Sequence, residues 1–155
     1  MRKALLTFSV LFIAAASYAQ YTFPLSDLQK LPNKNASDFE TFVMEKDYSF
    51  QSKMSSQIMK VYTSDKPGAS GKQYVISRYQ VPNAMAKVTF TTTDKKYYLE
   101  LKSKLAAAGI KYVNEENKTI EGAQAACFNY ASGGFKVSLC TYTTDVMWYK
   151  VEVHF

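Results

Sequence analysis

Histidine and tryptophan occur once each in these 155 residues, cysteine twice, proline four times and glycine six times. A structural zinc site draws on four Cys or His donors at short spacing, and no such group exists in the sequence. No C-x-x-C pair offers thiol exchange. A serine-centred nucleophile motif is missing, as is a glycine-rich loop that could cradle phosphate. The formal charge is +6, from 19 Lys and Arg against 13 Asp and Glu. The lysines are scattered and never run as a block, which argues against a nucleic-acid stripe. These absences leave no catalytic residue to name and no cofactor or metal to expect. His154 lacks a convincing partner group, so it reads as a strand histidine and not as a general base.

Only one stretch is long and apolar, and it lies at the start. Arg2 and Lys3 precede an apolar run from Ala4 to Ala16, and Ser17-Tyr18-Ala19 places small residues at the −3 and −1 positions of a cleavage site before Gln20. This pattern predicts a signal peptide over 1–19, hence export to the periplasm or beyond the cell. The run is too short to span a bilayer comfortably, and no later segment could cross one. The remainder, 20–155, is of a size for a single domain.

Gly133-Gly134 is a dipeptide favoured in two-residue hairpin turns with positive φ. With these glycines at the tip, Ser132 faces Phe135, Tyr130 faces Val137 and Phe128 faces Leu139. The same register sets Cys127 opposite Cys140. In an exported chain the expected outcome is a cross-strand disulfide. Alternation then puts Phe128, Tyr130, Phe135, Val137, Leu139, Tyr149, Val151, Val153 and Phe155 on a core face. It sends the disulfide to the other face.

Upstream, Phe23, Leu25, Leu28 and Leu31 suggest a helical turn ended by Pro32. Ser37 and Glu40 form a capping box for a helix over about 38–46. Strands are expected within 54–64, 72–81 and 84–93. Asp94 caps a second helix whose stripe is Tyr98, Leu101, Leu105 and Ala108, closed by Gly109. The polar stretch 114–122 reads as a loop. Three strands finish the chain. The order helix, three strands thus occurs twice, in units of about 20–93 and 94–155. The predicted class is α+β, an antiparallel sheet with helices on one face.

Three segments carry a resemblance in layout: the Ala19/Gln20 cleavage point, the helix start Thr93-Asp94-Lys95-Lys96-Tyr97-Tyr98, and the helix exit Gly109-Ile110-Lys111-Tyr112. The chain resembles small secreted proteins of Bacteroidetes type and the tandem-repeat architecture of the β-lactamase inhibitor protein family. That family carries a small disulfide loop in each repeat, whereas this chain has one cysteine pair, in its second half. The resemblance implies a binding role and assigns no residue.

Of the twelve tyrosines and ten phenylalanines, many belong to the core, and strands favour aromatics on their exposed faces as well. Alternation sends Tyr142, Trp148, Lys150 and His154 to the face away from the core, and Tyr62 and Arg78 are placed as its extension in the first half. Rings and cations on a rigid sheet suit recognition of a protein, or of a glycan. The expected function is therefore a non-enzymatic binding protein of inhibitor or immunity type. An exported hydrolase with an unrecognised site and a structural envelope-associated protein are the alternatives.

Overall fold

Asn35 starts the first substantial helix: its side-chain oxygen accepts the backbone N–H of Asp38 at 2.8 Å. In the computed structural model, which describes residues 21–64, 71–80 and 86–155, this helix spans Ala36–Met44 (α2). It follows a short helix, Leu25–Lys30 (α1), and a 3-10 turn, Leu31–Asn33, that contains Pro32. The helix begins ahead of the expected Ser37 cap because Asn35 is the better-placed acceptor. Four strands come next: Tyr48–Phe50 (β1), Met59–Ser64 (β2), Tyr74–Tyr79 (β3) and Lys87–Thr92 (β4). Asp94 caps the long helix Lys95–Ala107 (α3) by accepting from the N–H groups of Lys96 and Tyr97. The last four strands are Lys111–Ile120 (β5), Ala123–Ser132 (β6), Phe135–Thr143 (β7) and Met147–His154 (β8).

All eight strands join one antiparallel sheet in the order β1-β2-β3-β4-β8-β7-β6-β5. The protein is thus α+β. Each half contributes four strands, one more than expected. β1 is a three-residue edge too short to read from periodicity. β5 replaces the expected loop. It is the other edge of the sheet and is exposed along nearly its whole length, so no apolar alternation betrays it. Edge strands of this polar kind resist pairing with foreign strands. The expected signal segment 1–19 and the turn at Pro82-Asn83 lie outside the described residues.

The β6–β7 hairpin has the expected register. Gly133 and Gly134 sit at φ 58° and 89°, Ser132 pairs with Phe135, and Cys127 pairs with Cys140. On one side of the sheet, Ile76, Phe90, Leu139 and Val151 pack beneath Leu28, Phe39, Leu101 and Leu105 of the three helices. Phe90 lies near the centre of this core, with the rings of Phe23 and Tyr97 5.4 and 5.1 Å away. Among the described residues no helix is long and apolar enough to cross a membrane.

Candidate functional site

Among the described residues no helix covers the other face of the sheet, and its side chains are aligned in rows by strand register. One row crosses six strands: Asn114, Asn129, Ser138, Glu152, Thr89 and Ser77 are successive cross-strand partners. Asn129 donates to Asn114 Oδ1 at 2.9 Å, and Ser138 donates to Asn129 Oδ1 at 2.6 Å. The hydroxyls of Ser77 and Thr89 share a further hydrogen bond. Ser77, Thr89 and Ser138 are buried, where polar groups must be satisfied, so these bonds fix their side chains.

The next row holds the disulfide. Cys127 and Cys140 are bonded with Cα atoms 4.0 Å apart, and Lys150 is the following cross-strand partner. As expected, the bond lies on the face opposite Phe128 and Leu139. It is nonetheless fully buried, within a second small cluster formed with Ile120, Ala125 and Tyr142 and flanked by Trp148. A buried disulfide is compatible with an exported protein.

Tyr142 lies on the predicted face, away from the main core, yet it is buried and not open to a partner. Its parity is as read, but Ile120 at the end of β5 joins the apolar cover over this part of the face. Burial pushes its phenol up to about 12, and the nearby negative charge of Glu121 adds to the shift. Glu121 occupies the β5–β6 turn at φ 52°, a conformation that non-glycine residues adopt at a cost. Trp148 is half-buried, with its indole N–H donating to Thr144 Oγ1 at 3.2 Å.

Between these residues and β2 lies a groove of about 490 Å³. Val75, Ser77 and Thr89 line its middle, Met54, Met59 and Val61 its β2 end, and Trp148 with Lys150 its β8 end. Burial lowers the Lys150 pKa, Lys87 and Lys118 add to the effect, and Glu152 opposes it. Glu152 Oε2 is shared by Lys87 at 3.5 Å and Lys150 at 3.9 Å. His154 is half-buried beyond the groove, next to Lys136, and its buried Nδ1 has no hydrogen-bond partner among the described residues.

Four of the six expected site residues therefore share this face: Tyr142, Trp148, Lys150 and His154. The other two do not. Tyr62 and Arg78 point to the helix side, where Tyr62 packs 5.9 Å from the ring of Phe39 and Arg78 Nη2 donates to the Lys34 carbonyl at 3.0 Å. Register decides this. Ile76 is cross-strand partner to both Tyr62 and core residue Phe90, so Tyr62, Ile76 and Arg78 share the core parity. Their neighbours Val61, Ser77 and Tyr79 line the groove instead, and sequence reading missed them. The signal was present in β4, where Val88 and Phe90 mark the core side and turn Thr89 and Thr91 outward. Among the described residues no group of three or more His, Cys, Asp or Glu could hold a metal ion. No protein-family model, curated protein or solved structure matches the chain.

Proposed function

We propose that the chain is an exported binding protein, of inhibitor or immunity type, that takes a segment of a partner protein into the groove on its helix-free face. The observation that carries this reading is the groove itself, an apolar channel ending at a ring, a cation and a carboxylate: Trp148, Lys150 and Glu121. Ring anchors beside charged groups are what tight interfaces concentrate. The hydrogen-bonded Ser77–Thr89 pair in the groove lining holds part of the floor rigid, which limits the ordering cost of binding. A glycan is the second ligand class such a surface suits. The basic and apolar stretch 1–19 supports export. The strand order, β1 to β4 and then β8 back to β5, with a helix before each group of four, supports a tandem pair of units at about 20–93 and 94–155.

A photo-crosslinking amino acid at Trp148, or at Met59 across the groove, should capture one dominant protein in the native host. The same group at Leu99, exposed on α3, should not. Equal labelling from both faces would sink the reading, and capture of glycan alone would change the partner class. With the partner identified, Trp148→Ala should weaken binding by ~2 kcal/mol.

A further inference from the structure

On the helix side of the sheet, at its β1–β2 end, Ala36, Phe39, Glu40, Phe50, Lys60 and Tyr62 enclose a cavity of about 290 Å³ with Arg78. Arg78 is only 8% exposed. Its guanidinium lies against the Phe39 ring, 5.9 Å from the centroid, and Nη2 donates to the Lys34 carbonyl. Among the described residues its buried Nε has no hydrogen-bond partner and no carboxylate forms an ion pair with it.

A guanidinium so far out of water is costly unless an anion faces it, and one carbonyl dipole is a weak substitute. Arginine carries its donors in a planar fork that matches a carboxylate. Phe39 and Phe50 are apolar walls. Lys60, exposed at the rim with Nζ 5.6 Å from the Phe50 ring centroid, adds a second positive charge. The exposed carboxylate of Glu40 also lines the opening and opposes a highly charged anion such as phosphate. The volume lies at the lower end for ligand pockets, about 300–1,000 Å³.

We propose that this cavity is a binding site for a small organic carboxylate with an apolar tail, its carboxylate held by Arg78 and its tail packed between Phe39 and Phe50. The site is separate from the groove on the opposite face, and neither reading depends on the other. Nothing in it is covalent: the ligand binds and leaves.

Arg78 and Arg2 are the only arginines in the sequence. A nitrogen-15 spectrum therefore holds at most two Nε–H signals, and the one that Arg78→Lys removes reports directly on the site. The protein would be titrated at low salt with 3-phenylpropionate and, in parallel, with the neutral 3-phenylpropanamide. The carboxylate should move the Arg78 Nε–H signal saturably and bind at least tenfold more tightly than the amide. Glu40→Gln should tighten binding about threefold, and Lys60→Gln should weaken it by a similar factor. Both positions are exposed, so these variants keep the test informative even where Arg78→Met fails to fold. An Nε–H signal unmoved by the carboxylate would overturn the site. Equal affinity for the amide would do the same, as would a Glu40→Gln variant that binds no better.

Discussion

Lys72 Nζ lies 2.8 Å from Asp94 Oδ1, and the Asp94 side chain is wholly shielded from solvent. The same carboxylate caps α3 and accepts the Tyr74 hydroxyl at 3.1 Å. One aspartate thus ties the end of β4 to β3 and to the start of the helix.

Burial alone would raise the Asp94 pKa. The Lys72 hydrogen bond, the Tyr97 N–H, the Lys72 charge and the Tyr74 hydroxyl together outweigh it and hold the carboxyl below its usual range. A depressed acid stabilises the fold above its unfolded pKa, about 3.9, and loses that contribution as pH falls through the folded value. Asp94→Asn should cost ~2 kcal/mol at neutral pH. In urea unfolding the gap to wild type should close towards about pH 2. A gap that stays constant into acid would refute the assignment.

The disulfide closes a loop with a sequence separation of 13 residues, for which loop entropy implies ~3 kcal/mol. Replacing Cys127 and Cys140 by Ala together should lower thermal stability yet leave a folded protein, because the helix-side core is untouched. Both sulfurs are buried, so native protein should resist dithiothreitol until it opens. Rapid reduction without unfolding, followed by thiol titration, would contradict this.

The Ser77–Thr89 hydroxyl pair offers a test of the ladder. Both residues are buried. Ser77→Ala leaves the Thr89 hydroxyl stranded and should cost ~1–2 kcal/mol. Adding Thr89→Val removes the stranded group, so the double variant should cost less than the two single changes together. Simple additivity in chemical denaturation would mean the hydroxyls do not depend on each other.

His154 titrates below its ordinary value. Burial is the main cause, opposed by Glu152 and reinforced by Lys136, Lys87 and Lys118. A base with a depressed pKa binds more protons when unfolded, so its effect is a loss of stability as pH falls below about 6.5. As the only histidine it gives one ring proton signal, whose midpoint should lie under that value. His154→Gln should flatten the stability profile between about pH 7 and 5. A midpoint above 6.5 would show a favourable anionic contact in place of burial.

Local chemistry was mostly legible where it acts within a few residues, the exception being the Ser37 capping box, whose place Asn35 takes. The Gly133-Gly134 turn carried the β6–β7 register, the cysteine pairing and the core parity of the last strands. Asp94 announced α3. What was not legible depends on distant chain. The face of Tyr62 and Arg78 follows from pairing across β2, β3 and β4, and both parities of β2 and β3 hold apolar residues. The burial of Tyr142 follows from the β5–β6 hairpin end, whose strand is polar because it is an edge. The groove is assembled from strands far apart in sequence, so no short motif marks it.

β4 and β8 form the seam between the two groups of four strands, and they come from opposite halves of the sequence. Until that seam closes, each half presents a raw inner edge with unpaired amides and carbonyls. The complementary edge sits on every other copy as well as on the same chain. At high concentration during refolding, β8 of one molecule can dock on β4 of a second, and two chains can trade halves while keeping every native strand pairing. Such an exchanged dimer would hold the same grooves as the monomer, two per particle, and would revert only by breaking both seams.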